Sequence, residues 1–300
     1  MTVDRSDVRF PSGDGECGGW LYRPADTDGE RRPVVVLAHG LGGDRHMRLD
    51  AFARRFAEAG YVALAFDYRH FGDSTGEPRR LLDIRKQRDD YRAAIAWVRG
   101  LEDVDPERVV IWGSSFAGGH VLVVAAGDPR LAGAISQVPF TDGIASALTL
   151  RPATTLKVSG RGIADLAAAA LRRPPVPVAL SGSYGDAALM VAPDVSAGYG
   201  RLDAMSPDSG GVPARVGLAI PLDRPRRHVR KISCPVLYCI STSDSVAPSK
   251  PALRAAAHTP DATVKQYDYG HFEVYVDEPF EHLVADQLAF LRERVPVSAG

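Results

Sequence analysis

Long apolar runs are missing from this 300-residue sequence, and Gly, Pro or a charged residue interrupts each one well short of the roughly 20 residues that span a bilayer. No membrane is therefore expected as a partner. Asp4, Arg5, Asp7 and Arg9 follow Met1 in place of a basic stretch and an apolar one, so no secretion signal is legible and a cytoplasmic location is the expectation. Excess charge of one sign is missing too. The 36 Lys and Arg nearly balance 37 Asp and Glu, a formal net charge of −1, which gives no electrostatic ground for a nucleic-acid partner. Cysteine is scarce. Cys17, Cys234 and Cys239 are an odd number with neither zinc-ligand spacing nor a CxxC redox motif, and they read as buried structural thiols.

What is there suits a globular protein with a full core: 45% of the residues are hydrophobic and 24% charged. From Val8 to Arg23 two extended segments flank the turn-rich Ser12-Gly13-Asp14-Gly15, which predicts an antiparallel hairpin. Val34 to Ala38, Val62 to Phe66, Val109 to Trp112, Ala134 to Val138 and Pro235 to Ile240 are too short and too β-branched for helices. They read as buried parallel strands, with Val264 to Tyr269 as one more. Helical patterns lie between them at His46 to Ala59, Leu82 to Leu101, Phe116 to Ala126, Pro248 to His258 and Glu278 to Arg294. This alternation predicts an α/β fold with a doubly wound, mostly parallel sheet, its functional groups in loops past the carboxyl ends of the strands.

The alternation breaks between Phe140 and Lys231. That stretch is too long for a plain connection, and the Leu, Val and Met spread through it argue against disorder. The reading is a core from residues 1–140 and 232–300 with an inserted cap over residues 141–231. Within the cap a helix is expected from Ile163 to Arg172, and an irregular hairpin from Val176 to Val191 around Gly182 and Gly185.

Directly after the strand ending at Trp112 comes Gly113-Ser114-Ser115-Phe116-Ala117, then an apolar helix. This is the nucleophile-elbow pattern G-x-S-x-G with Ala in the last small position, in the strand–turn–helix setting that the pattern requires. The nucleophile of such a turn needs small residues two before and two after it. Ser115 has Gly113 and Ala117, whereas Ser114 would have Trp112 and Phe116, so Ser115 is the nucleophile candidate. A serine hydroxyl needs a base, and the base an acid to orient it. Of eight histidines, His271 sits between the last predicted strand and the last helix, the loop that delivers a base to the elbow. Asp244 lies in a turn after the strand ending at Ile240. Its rival Asp268 is assigned to a strand, from which it could not fold back onto the imidazole. The backbone N–H groups of Leu41, in His39-Gly40-Leu41-Gly42-Gly43, and of Phe116 are the expected oxyanion donors. His39 then fixes the loop.

The sequence resembles the α/β-hydrolase superfamily over nearly the whole chain. The resemblance rests on His39 to Gly43, Asp67-Tyr68-Arg69-His70-Phe71-Gly72-Asp73-Ser74, the elbow at Ser115, Ser243-Asp244 and Gly270-His271-Phe272, taken in that order. Within the superfamily it is similar to dienelactone-hydrolase and peptidase-like esterases and to polyketide acyl-transferase and thiohydrolase relatives. The resemblance implies an α/β-hydrolase fold and acyl chemistry at Ser115.

Three functions compete. Hydrolysis of a carboxylic ester or thioester needs no metal and no organic cofactor. Acyl transfer uses the same triad with a bulky alcohol or amine acceptor, and a non-catalytic receptor would keep only the fold. Phe140, Leu148, Leu150, Leu189, Met190, Val191 and Phe272 are candidates for an apolar acyl pocket. The expected partner is a small ester or thioester with an apolar acyl group, and pairing into a homodimer is left open.

Overall fold

A computed structural model describes residues 2–25 and 29–297. The outermost ends of the expected core, residue 1 and residues 298–300, lie outside the described residues. The opening hairpin is longer than its sequence pattern. β1 (Val3–Ser12) and β2 (Gly15–Pro24) pair antiparallel along their whole length. β3 (Arg32–Ala38), α1 (Leu49–Glu58), β4 (Val62–Phe66), α2 (Ile84–Arg99), β5 (Val104–Ser114), α3 (Phe116–Ala125) and β6 (Gly133–Gln137) follow in strict alternation. After the insertion come β10 (Val236–Ser241), α8 (Ser249–Ala257), β11 (Ala262–Tyr267) and α9 (Asp277–Arg294), where β10 counts three strands within the insertion. The eight-stranded sheet has the order β1-β2-β4-β3-β5-β6-β10-β11. From β4 to β11 every pairing is parallel. This is a doubly wound, mostly parallel α/β sheet.

Val34, Val35, Val36, Leu37 and Ala38 have no solvent exposure, because helices cover both faces of β3. Such strands read as unbroken apolar runs rather than alternations. α3 is buried all round, as a helix against the middle of a sheet must be. α2 is amphipathic and begins where the Asp83 carboxylate accepts from the N–H groups of Arg85 and Lys86. The three cysteines are buried and free, and burial pushes the thiols of Cys234 and Cys239 up to about 12.

Of the core boundaries that differ from expectation, two bear on candidate residues. α1 starts at Leu49, which leaves His46 in the preceding turn with its N–H held by the Asp44 carboxylate at 2.8 Å. β11 ends at Tyr267, where its partner β10 also ends, so Asp268 lies past the strand. The premise used against Asp268 is thereby overturned.

The insertion leaves after β6 and returns at β10, which are neighbours in the sheet. It contains α4 (Gly143–Ala147), α5 (Pro152–Ala170), β7 (Pro177–Ser181), β8 (Ala188–Met190), α6 (Val195–Asp203), β9 (Val212–Pro213) and α7 (Val216–Ala219). It adds no strand to the main sheet and has a small sheet of its own, β8-β7-β9. It lies over the carboxyl ends of the main strands: a Cβ on Gly42 would stand 2.5 Å from Leu180 Cδ1, and one on Gly198 would stand 2.6 Å from Phe272 Cβ.

Inside the insertion one expected helix is too short and the expected hairpin fails. α5 begins eleven residues before Ile163. It buries Thr154, Val158, Gly162 and Asp165 and exposes Leu156, Ile163 and Leu166, the reverse of the apolar-inward pattern that marks a helix in sequence. β7 and β8 pair parallel rather than as a hairpin, with Ala179 opposite Ala188 and Ser181 opposite Met190. A turn closed by the Asp186 carboxylate on the Ser183 N–H carries the chain back to the start of β7 before β8 begins.

Two glycines of α5 separate helix propensity from packing. A Cβ on Gly160 meets nothing within 4 Å, whereas one on Gly162 would stand 2.8 Å from Leu218 Cγ. Gly160→Ala should raise unfolding stability by about 0.5–1 kcal/mol. Gly162→Ala should lower it, as read by urea denaturation of both variants. Equal gains in both would show that α5 does not rest on Leu218.

Candidate active site

The turn between β5 and α3 holds Ser115 at φ 57° and ψ −118°, a conformation that costs a non-glycine residue about 1–3 kcal/mol. Backbone hydrogen bonds on both sides secure it: the Ser115 N–H donates to Gln137 O and the Phe140 N–H to Ser115 O, each at 2.9 Å. A Cβ on Gly113 would stand 2.4 Å from Ala117 O, so strand and helix approach this closely only with glycine there. Ser114 faces the other way. Its buried Oγ lies 2.6 Å from Tyr275 Oη and accepts from Gln137 Nε2 at 3.0 Å.

The loop after β11 brings His271 to this turn, with Nε2 2.9 Å from Ser115 Oγ. His271 Nδ1 lies 2.6 Å from Asp244 Oδ2. The other carboxylate oxygen of Asp244 accepts from the N–H groups of Val246 and Ala247, at 2.8 and 2.7 Å. Both side chains are 1% exposed. An imidazole so held can take a hydroxyl proton through Nε2 while the carboxylate meets the charge that develops on the ring. Asp268 instead accepts from Ser243 Oγ at 2.7 Å.

The loop after β3 runs against Ser115, and a Cβ on Gly40 would stand 3.2 Å from Ser115 Cβ. Phe116 is the first residue of α3, so its N–H has no acceptor within the helix. Leu41 and Phe116 line one cavity together with Ser115. His39 stacks edge-on against Tyr68, and its Nδ1 lies 3.1 Å from Gly40 O. Burial pushes its pKa down to about 4, so the ring is neutral near pH 7 and serves to shape the loop.

Two arginines that the sequence pattern did not single out fix the same loop from behind. The Arg45 guanidinium pairs with Asp67 inside the protein, and the Arg45 N–H donates to Asp67 Oδ1 at 2.7 Å. Burial pushes the Asp67 carboxyl up to about 6 against the pull of Arg45. Arg80 donates to Gly42 O at 3.0 Å and to Gly210 O at 2.9 Å, which ties the loop to the insertion. Nothing in sequence spacing marks these arginines, because their partners lie in distant loops. Three other histidines have partners of their own. His120 is packed against Gln87 and Arg88, His70 lies 3.0 Å from Pro78 O, and His282 lies 2.8 Å from Tyr269 Oη.

Two cavities meet at Ser115. The larger, about 90 Å³, is walled by Phe116, Phe140, Leu150, Val158, Leu189 and Met190. The smaller, about 40 Å³, contains His271 and Phe272. Phe140, Leu150, Leu189, Met190 and Val191 thus stand in the larger wall, whereas Phe272 belongs to the smaller one. Leu148 is 79% exposed and lines neither, because the end of α4 turns it to solvent. Among the described residues no group of three His, Cys, Asp or Glu is placed to hold a metal, and no helix is long and apolar enough to cross a membrane.

Similar proteins agree with this architecture. The quorum-quenching protein AidA of Acinetobacter baumannii (strain MDR-ZJ06) is 51% identical over 97% of this chain and 95% of its own length. The polyketide transferase grgF of a Penicillium species is 33% identical over 53% of both chains. Among solved structures, the α/β hydrolase GrgF from Penicillium sp. sh18 superimposes with a TM-score of 0.83 at 24% identity, over 97% of this chain and 99% of that one. DcsB in complex with its substrate analogue gives a TM-score of 0.83 at 20% identity with the same coverage. Residues 20–177, more than half of the chain, match the family described as X-Pro dipeptidyl-peptidase (S15 family). The chain belongs to that family, within the α/β-hydrolase superfamily of hydrolases and esterases.

Proposed function

We propose that this enzyme of the hydrolase type cleaves a carboxylic ester or thioester through an acyl-enzyme, with Ser115 as nucleophile, His271 as base and Asp244 as the orienting acid. The observation that carries the reading is the unbroken line of contacts from Asp244 Oδ2 through His271 to Ser115 Oγ, 2.6 and 2.9 Å long. His271 takes the hydroxyl proton as Ser115 attacks, and the N–H groups of Leu41 and Phe116 meet the oxyanion. Nε2 then returns the proton to the leaving group and next activates water.

The larger cavity suits an apolar acyl chain. Its walls, about 90 Å³ of space between them, are built largely from Phe116, Phe140, Leu150, Val158, Leu189 and Met190. Neither cavity is lined by an acidic side chain, which the ammonium end of an X-Pro peptide would require, and this favours esters over dipeptides. The insertion acts as a cap that selects the acyl group, because β8 and α5 furnish much of that wall. The name of the relative at 51% identity adds bacterial signal molecules to the substrates to assay. Acyl transfer is the second reading, favoured by relatives named polyketide transferase and acyltransferase that match over about half of the chain or less.

Ser115→Ala should lower ester turnover by about 10⁴-fold or more, whereas Ser114→Ala should keep turnover and lose about 1–3 kcal/mol of stability through the stranded Tyr275 and Gln137. Activity surviving in Ser115→Ala would move the nucleophile elsewhere.

Asp244→Asn should keep the fold and lose most of kcat, because the imidazole loses its orienting carboxylate. Asp268→Asn should change kcat little, and the reverse result would reassign the acid.

In p-nitrophenyl esters of rising acyl length, kcat/KM should climb roughly fourfold per CH₂, from about 0.8 kcal/mol each, until the cavity is full. Leu189→Ala should move that limit to longer chains. An unmoved limit with lowered thermal stability would make Leu189 part of the cap's own core.

A further inference from the structure

We propose that the outer face of the insertion docks on an anionic lipid surface, with the exposed side of α5 and the end of α4 lying in the headgroup layer. α5 rests on the protein through Thr154, Val158, Gly162 and Asp165. Its opposite side presents Leu156 and Ile163, which are 75% and 63% exposed. Their separation along the helix, from residue 156 to 163, is close to two full turns, so they stand one above the other. Leu166 and, just before α5 begins, Leu148 add exposed apolar side chains beside them. Large apolar side chains grouped in this way mark an interaction site, whereas single ones scattered over a surface do not.

Charge decides what covers them. From Gly143 to Arg173 the basic residues are Arg151, Lys157, Arg161, Arg172 and Arg173, and the single acid is Asp165, which is buried and paired with Arg215. All of these basic residues are exposed, and among the described residues none of them pairs with a carboxylate. Lys157 and Arg161 form a row beside the apolar stripe and donate to the carbonyls of Gly185 and Pro177 at 2.6 and 3.0 Å. The Arg151 guanidinium lies 4.2 Å from the ring centre of Tyr184, itself exposed. The formal charge of −1 over the whole chain conceals this local surplus, and a protein bound to a lipid surface needs no spanning helix, so neither ground for expecting no membrane bears on this face. A second copy turned face to face would set cations against cations with no carboxylate between them, which opposes self-docking. Lipid phosphates neutralise the cations while the leucines and Ile163 enter the boundary with the acyl chains. Thr149 and Thr155 are exposed and line the larger cavity, so that cavity reaches the surface beside Leu148 and Leu156. Docking therefore brings the mouth of the acyl cavity to the lipid, where amphiphilic esters concentrate. That consequence rests on the hydrolase reading; the docking does not.

The test is cosedimentation of the protein with vesicles of phosphatidylcholine alone and of phosphatidylcholine mixed with phosphatidylglycerol, at about 0.1 M salt. Partitioning should be at least about tenfold stronger onto the anionic vesicles and should weaken as salt rises. Lys157→Gln combined with Arg161→Gln should lower it by about fivefold per cation. Leu156→Ser combined with Ile163→Ser should lower it at least about tenfold. An unchanged urea midpoint shows that each variant keeps its fold, and Leu156→Ser alone replaces the pair if the pair does not. Equal partitioning onto both kinds of vesicle, none onto either, or undiminished binding by the folded Leu156 and Ile163 variant would overturn the proposal. So would a dimer in lipid-free solution that the same variant abolishes, because a second copy would then cover the face. Vesicle binding is read without turnover, so failure to cleave any ester or thioester, with Ser115 unlabelled by a fluorophosphonate, would overturn the hydrolase reading and leave the docking standing.

Discussion

The strained backbone of Ser115 is the constraint on which the rest depends. An L-residue at φ 57° and ψ −118° is not self-supporting, and the chain holds it there because strand β5 and helix α3 meet too closely for any other path. The absence of a side chain at Gly113 permits that approach, and backbone hydrogen bonds to Gln137 and from Phe140 lock it. The result puts Oγ at the top of the sheet while Ser114, one residue earlier, is turned inward to Tyr275 and Gln137. Two adjacent serines therefore have unlike environments for a purely steric reason.

Around that point the two parts of the chain contribute different things. Loops at the carboxyl ends of β3, β5, β10 and β11 supply the polar groups, because parallel strands all end on one side of the sheet. The insertion supplies much of the apolar lining. Polar ties hold the two in register: Arg80 grips carbonyls of Gly42 and Gly210, and Ser245, beside Asp244, donates to Asp194 at 2.7 Å. The buried Arg45 and Asp67 pair behind the loop after β3 is weak support for stability, since desolvation offsets much of its attraction. It constrains geometry instead, by joining the loop after β3 to the loop after β4.

Much of this was legible in one dimension. Strands β3 and β4 were readable almost to the residue because burial on both faces writes an unbroken apolar run, and the elbow because its close packing demands small residues at set positions. Elsewhere the local signal misled. β11 is an edge strand with Lys265 and Gln266 exposed, so its end follows the length of β10 rather than its own hydrophobicity, and Asp268 falls outside it. α5 turns apolar side chains to solvent and buries Asp165 against Arg215, so a reading based on apolar faces found only its second half.

By itself the sequence determined the alternation of strands and helices, the turn that must carry Ser115, and the candidates for its partners, since each follows from local burial, local packing or order along the chain. Only the tertiary structure decided that His271 lies between Ser115 and Asp244, that Arg80 reaches from its own loop to both Gly42 and Gly210, and that one space beside the serine became two. Those outcomes depend on distances between residues more than a hundred positions apart, or on loops whose path is set by what they pack against. No periodicity or spacing encodes such distances, because they arise when the sheet brings its strand ends together.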